Sequence, residues 1–559
     1  MEKHSNKKSV QILSAALQAA EIQDIVISPG SRNAALIIEM TNQDFFNNYS
    51  VVDERSAAFF ALGMAQQIEK PVVLMCTSGS AVLNYHPAIA EAFYSRIPLI
   101  VVSADRPKKW IDQGEGQTIR QEGVLKNHSY FNISLWEDDQ VNAEEFNQKQ
   151  IEKAIKIAVE KCATVHINIP FDEPLYDTED LEDKAVAPVQ FDIEDKIYEE
   201  SFLQNFENIW NNSVKKMILV GQHHPSEFLQ LQLEKLSEDP SVVILTENIS
   251  NVKHKRFINN IDQVIFNLSN EEYKILKPDI LLTIGRNIVS KKIKHFLRKN
   301  KPEHHWHIEK TEIPPNTFEA LLYHFNTSPE MFLSQFLFLV KENTQSDYQN
   351  NFLEIKQKNK NFHNKYLSKT GFSDLKIFEM LSKNVPDNYM IQWANSSTIR
   401  YAQLFDFHSD IIHFSNRGTS GIDGSASTAV GAAYASGKPV LLVTGDVSFF
   451  YDSNALWNKY IPMNFKILIV NNGGGDIFNF IPGPSQSKAL DEFFVTKHNY
   501  KATQLAEMYG FDYILIDNLN DFQHQLPLFF ANQDKPQIME VDSSKIENHH
   551  ILKAYFKQF

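Results

Sequence analysis

Short apolar runs alternate with longer amphipathic stretches along most of the chain. Residues 25–28, 72–76, 98–103, 217–221, 242–246, 280–284, 390–393, 412–414, 439–444 and 466–470 are each short and apolar enough to be buried strands. Val51 and Val52 head another. Apolar positions at helical spacing predict helices over 10–20, from Arg55 onward, after Thr77, and over 448–460. Strand, helix, strand, with polar residues where the strands end, predicts an α/β fold of three consecutive doubly wound parallel-sheet domains. Such domains bind ligands along the carboxyl edge of the sheet.

The 559 residues are too many for one core and fit about three domains. An acidic stretch at 179–200 and a polar stretch at 342–371 read as connectors. They divide the chain into 1–180, a Rossmann-like central domain at 181–345, a connector at 346–371, and 372–559. The central domain has no GxGxxG fingerprint, so a nucleotide there is not expected.

Composition narrows the class. The net charge of −15 argues against nucleic acid or an anionic membrane as partner. The N-terminus has no apolar signal core and no run reaches the ~20 residues of a membrane span, so a cytoplasmic location is expected. The two cysteines, Cys76 and Cys162, make no disulfide framework, and Cys76 reads as a small core residue.

The candidate chemistry lies between Gly445 and Phe478. Asp446 ends one buried strand; Asn471, Asn472 and three glycines end the next, on the other side of a helical stretch. In a βαβ unit both ends face one edge, so Asp446 and Asn472 converge. A carboxylate and an amide oxygen suit a hard cation such as magnesium, and the glycines admit a diphosphate. The bland alternative is a helix N-cap followed by an ordinary turn.

Gly-Asp, an interval of this length and Asn-Asn resembles the metal motif of the thiamine diphosphate (ThDP) decarboxylases and transketolases, although Val447 stands where a third glycine is usual. By that resemblance Asp446, Asn472 and the carbonyl of Gly474 hold Mg2+ (or Mn2+). Glu54 matches the glutamate that hydrogen-bonds the aminopyrimidine ring; otherwise it would be a first-turn helix acid. PGSR (29–32), DER (53–55), TSG (77–79), ADRP (104–107), GQTIRQ (116–121), HINIPFDEPL (166–175), SNRGTSGIDG (415–424) and NNGGGDIF (471–478) together resemble one family. That family is the 2-succinyl-5-enolpyruvyl-6-hydroxy-3-cyclohexene-1-carboxylate synthases of menaquinone biosynthesis.

The resemblance implies decarboxylation of 2-oxoglutarate and 1,4-addition of the product carbanion to isochorismate. It assigns Glu54 to catalysis, and Arg32, Arg106, Gln117, Lys291, Lys292, Ser396, Arg400 and Arg417 to substrate. Ser31, Thr77, Gly79, Ile422, Gly445, Ile477 and Phe478 join Glu54 at the cofactor; a core role is the alternative for Ile422. Lys291-Lys292 replaces the family's lysine–arginine pair, and Asn33 replaces a serine. Two dianionic substrates account for so many cations near strand ends, since arginine forks bind carboxylates bidentately. The resemblance also implies at least a homodimer, or a homotetramer, with each cofactor shared between chains.

Two other patterns carry no site. Residues 431–438 miss the P-loop spacing, and His498, His549 and His550 fit no metal-ligand spacing and read as surface histidines. Another ThDP enzyme, either a 2-oxoacid decarboxylase or one like acetohydroxyacid synthase, remains the alternative activity. A ThDP-fold subunit without catalysis is the alternative of another class.

Overall fold

The computed structural model of the chain describes residues 3–180, 187–266, 268–341, 345–481, 483–531 and 534–557. Residues 181–186 and 342–344, which fall within the stretches expected to be connectors, lie outside the described residues. The chain divides into two compact units. One comprises Met1–Ile193, Gly418–Val440 and Ser448–Phe465; the other comprises Glu194–Arg417, Leu441–Val447 and Lys466–Phe559.

The first unit is built on strands β1 (Lys3–Ser5), β2 (Asp24–Ile27), β3 (Asn47–Ser50), β4 (Val72–Cys76), β5 (Leu99–Asp105), β6 (Phe131–Ser134), β7 (Thr164–Pro170) and β8 (Thr178–Asp180). Six of them form a parallel sheet in the order β3-β2-β4-β5-β7-β6, while β1 and β8 pair antiparallel. Every residue of β4, β5 and β7 is buried, as a sheet covered by helices on both faces requires. The chain moves outward from β2 to β3, then returns to β4 on the other side. The β2 and β4 ends therefore flank a topological switch point.

The Glu54–Ile68 and Ser425–Ser436 helices of this unit cross in very close contact. A Cβ on Gly63 would stand 2.1 Å from the Thr428 carbonyl oxygen, and one on Gly431 would stand 2.0 Å from that of Phe60. Only a residue without a side chain fits at either crossing point. Since Gly431 lies inside a helix, the rejected P-loop is indeed none.

The second unit carries two sheets. Strands β9 (Lys216–Val220), β10 (Val242–Thr246), β11 (Ile280–Ile284), β12 (His304–Ile308) and β13 (Leu321–Phe325) lie in the order β10-β9-β11-β12-β13. Their switch point, between β9 and β11, is closed by the loops themselves. Gly221 N–H donates to Ile284 at 2.9 Å, Gln222 N–H to Asn287 at 3.0 Å, and Arg286 N–H to Gln222 at 2.9 Å. Strands β14 (Met390–Trp393), β15 (Ile412–Ser415), β16 (Val440–Gly445), β17 (Lys466–Asn471), β18 (Asp512–Ile516) and β19 (Gln537–Asp542) form the other sheet, ordered β15-β14-β16-β17-β19-β18. Here the switch point lies between β14 and β16, so Ser396 and Asp446 follow the two strands that flank it.

Two expected elements differ. The strand expected at Val51 is β3, four residues earlier and polar in sequence (NNYS). An edge strand buries little, and Tyr49 alone turns into the core. The helix expected over 448–460 ends at Tyr451 and a 3-10 turn follows at Ser453–Leu456. Between them the buried Asp452 carboxylate accepts Ser427 N–H at 2.8 Å and Ser427 Oγ–H at 3.0 Å, so the residue serves the next helix over instead of its own. Cys76 is fully buried, as a core residue, and burial pushes its thiol well above the ordinary range.

Candidate active site

At the switch point of the first sheet, the turn after β2 meets the turn after β4. Arg32 N–H donates to Thr77 Oγ1 at 3.2 Å, and the buried Arg32 guanidinium donates to the Phe171 carbonyl and pairs with Glu173, each at 3.2 Å. Ser31 beside it is exposed. Gly79 N–H donates to Gln121 Oε1 at 3.0 Å, and Ser78 Oγ–H to the Gln117 carbonyl at 2.9 Å, which brings the exposed Gln117 beside the turn. Burial lowers the pKa of Arg32, and the neighbouring charge of Arg106 lowers it further. Arg106 follows β5 along the same carboxyl edge, and its Nε is buried without a hydrogen-bond partner among the described residues. Glu54 opens its helix behind an Asp53 N-cap that accepts Ser56 N–H at 2.9 Å. With Asp53 already capping the helix, Glu54 is not needed for that task. Its Oε2 lies 3.4 Å from Asn84 Nδ2.

The second unit holds a matching arrangement after β14. Arg400 Nη1 donates to the Ser396 carbonyl at 2.9 Å, and Arg417 Nη1 donates to Asn395 Oδ1 at 2.6 Å. Burial, then the charge of Arg417, depresses the Arg400 pKa. Ser396 takes a positive φ of 67°, which bends the chain as it leaves β14. Lys291 and Lys292 open the Lys291–Lys299 helix, N-capped by Ser290, whose hydroxyl also meets Asp262. Lys291 is exposed and part of a solvated helix start. Lys292 is half-buried with its ammonium 4.0 Å from the centre of the Phe266 ring, so its charge rests on an aromatic face and faces Asp262.

After β16 and β17 the expected convergence is present. Asp446 Oδ2 accepts Gly473 and Gly474 N–H, both at 2.9 Å, and Oδ1 accepts Val447 N–H at 2.7 Å. Asn472 Nδ2 donates to Asp374 Oδ2 at 3.0 Å, while Asn472 Oδ1 is buried with no hydrogen-bond partner among the described residues. Burial pushes Asp374 up to about 7. Among the described residues no three His, Cys, Asp or Glu side chains are placed to hold a metal. A set of one carboxylate, one orphaned amide oxygen and a backbone carbonyl fits a hard cation that keeps its other positions for diphosphate and water. Gly445 ends β16, and Ile477 and Phe478 start a short helix at Ile477–Phe480.

Three family models cover most of the chain. The N-terminal thiamine pyrophosphate-binding domain matches residues 7–124, the middle domain of thiamine pyrophosphate enzymes 197–391, and the C-terminal thiamine pyrophosphate-binding domain 396–541. A 2-succinyl-5-enolpyruvyl-6-hydroxy-3-cyclohexene-1-carboxylate synthase of Flavobacterium johnsoniae is 48% identical over 544 residues, 97% of each chain. Proteins of the same name from Flavobacterium psychrophilum (49% over 536 residues, 96% of each chain) and Porphyromonas gingivalis (37% over 570, 99% of this chain and 97% of the relative) are also similar. The chain belongs to this synthase family. It is a thiamine pyrophosphate enzyme, and three α/β domains of that class account for its three parallel sheets.

Membership of the synthase family agrees with the motif reading, but four details are corrected or added. Ile422 is 38% exposed, so it is not the core isoleucine that was the alternative. His498 is no surface histidine: its side chain is 11% exposed with Nε2 3.4 Å from Asp446 Oδ2, because the loop after β17 folds back over the strand end. His549 likewise pairs with Asp476 at 3.1 Å, whereas His550 is exposed. Asp374 was missed. An aspartate after a serine cap at a helix start carries only the signal of a helix terminus, and its contact with Asn472 spans 98 residues of sequence.

Proposed function

We propose that this chain decarboxylates 2-oxoglutarate and adds the resulting four-carbon unit to isochorismate, giving 2-succinyl-5-enolpyruvyl-6-hydroxy-3-cyclohexene-1-carboxylate and carbon dioxide. The observation that carries this reading is four arginines at the carboxyl edges of two parallel sheets: Arg32 and Arg106 after β2 and β5, and Arg400 and Arg417 after β14 and β15. Arginine forks at strand ends suit bidentate carboxylate binding, and both substrates are dianions.

ThDP, when bound, supplies the carbon nucleophile and the electron sink for decarboxylation. Asp446, Asn472 Oδ1 and the Gly474 carbonyl would hold Mg2+ or Mn2+ against its diphosphate. Glu54 would hold the aminopyrimidine ring by a hydrogen bond from its carboxyl group. Ser31, Thr77, Gly79 and Gly445 line the cofactor, and Ile422, Ile477 and Phe478 give it apolar walls. Arg32, Arg106, Arg400 and Arg417 hold substrate carboxylates, with Gln117 and Ser396 beside them; Lys291 and Lys292 add positive charge. We further propose domains at 1–180, 181–345 and 372–559 with a connector at 346–371. The working form is a cytoplasmic homodimer or homotetramer in which one chain supplies Glu54 and another the diphosphate residues.

The test is carbon dioxide release from 2-oxoglutarate with ThDP and Mg2+, with and without isochorismate. Slow release that isochorismate strongly accelerates, with loss of isochorismate absorbance, is expected. Brisk release indifferent to isochorismate would leave a simple decarboxylase, and no release from any 2-oxo acid a non-catalytic subunit.

A further inference from the structure

We propose that Glu91 is a positioning residue for the loop 416–424, which carries Arg417 and Ile422. The proposal rests on the reading above only in giving those two residues substrate and cofactor roles. Glu91 lies on the Ser80–Ser95 helix of the first unit and is 1% exposed. Its Oε1 accepts Gly418 N–H and Ser95 Oγ–H, both at 2.7 Å; its Oε2 accepts Thr419 N–H at 2.7 Å and Thr419 Oγ1–H at 2.9 Å. Four donors fill the four acceptor positions of one carboxylate.

Two of those donors are successive backbone amides. Holding both on one rigid group fixes the direction of two adjacent peptide units, and with them the exit of the chain from Arg417 and its path toward Ile422. The loop lies directly on the helix: a Cβ at Gly418 would come within 2.4 Å of the Glu91 carbonyl oxygen and 2.8 Å of Ser95 Oγ. Gly418 thus serves the approach to this helix. Further along, the Ile422 carbonyl accepts Ser448 Oγ–H at 2.7 Å, so the loop is held at both ends. The helix bearing Glu91 starts immediately after Thr77 and Gly79. One helix therefore carries cofactor-lining residues at its start and the loop clamp near its end. A carboxylate spent on packing alone would not need to bind consecutive amides beside a substrate arginine.

Glu91→Gln keeps the shape but turns an NH2 group toward an N–H donor, and Gly418→Ala lifts the loop off the helix. Each is purified, checked by circular dichroism and thermal unfolding, and titrated with ThDP and Mg2+ by tryptophan fluorescence; KM and kcat are then measured for both substrates. The expected result is a folded protein whose ThDP Kd, or KM for at least one acid substrate, rises by about tenfold or more, the size expected when a buried N–H loses its acceptor. kcat at saturation falls less. Thr419→Ser keeps all four donors and restores wild-type constants. A folded Glu91→Gln with unchanged Kd and KM, whatever its melting temperature, overturns the proposal. Should that variant not fold, Thr419→Val, which removes one donor, decides on the same constants: a rise supports the proposal and no change overturns it. If the wild type shows no isochorismate-dependent turnover, the reaction assigned above fails, while the ThDP titration still tests Glu91.

Discussion

Asn472 donates an amide N–H to Asp374 at 3.0 Å, and this contact determines which end of the amide is left for a cation. A carboxylate oxygen accepts, so the NH2 end faces Asp374 and Oδ1 is left without a partner among the described residues. Ser543 Oγ–H, 2.5 Å from Asp374 Oδ1, holds the carboxylate in turn. Replacing Asp374 by Asn removes this preference without removing a metal ligand. The Mg2+ concentration for half-maximal activity should rise ~10- to 100-fold, as for other outer-shell partners. An unaltered Mg2+ titration would show that Asn472 is oriented by something else.

Glu54→Gln keeps the side-chain size and the Asp53 cap, so the helix should form as before. If Glu54 acts on the aminopyrimidine as proposed, the turnover rate should fall by ~10²- to 10⁴-fold, the usual range for a general acid–base group. ThDP should still quench tryptophan fluorescence. Activity within a few-fold of wild type would return Glu54 to a plain helix-terminus role.

Gly63→Ala places a methyl group where 2.1 Å separates the built Cβ from the Thr428 oxygen. Overpacking of this kind costs ~1–3 kcal/mol, so the melting temperature should drop by several degrees. Gly371→Ala is the control, because a Cβ there meets nothing within 4 Å. Equal melting temperatures for the two variants would contradict the close crossing.

His166 should make the fold acid-sensitive. It is buried on β7 with Nε2 2.7 Å from Ser103 Oγ, and burial lowers its pKa from 6.5 to about 4. The unfolded imidazole takes a proton below about 6.5 and the folded one does not until about 4. More protons bind the unfolded state, so stability is lost as pH falls through that window, by about 2 kcal/mol from this residue near pH 5. Calorimetry of His166→Asn should show a shallower acid limb than wild type.

Much of this was readable from the chain because strand ends in a doubly wound sheet are announced locally. A buried run such as KILIV followed by NNGGG fixes both the strand and the polar turn after it. Tyr49 and its neighbours gave no such signal, since an edge strand needs only one buried side chain and can be polar otherwise. Asp452 ended a helix for the sake of Ser427, a contact no periodicity contains. Glu91, Asp374 and His498 were hidden for the same reason: each owes its place to a partner far along the chain, and each taken alone looks like an ordinary helix or loop residue.

The order of the last sheet bears on the making of the protein. β17, which ends in Asn471, is flanked by β16 on one side and by β19 on the other, and β19 is followed at once by Ser543, whose N–H donates to the Asn471 carbonyl at 2.9 Å. During translation β17 emerges well before Gln537, so its edge stays open and its terminal turn unfastened until β19 arrives. The turn after β17 can therefore be fastened only once β19 has been synthesised.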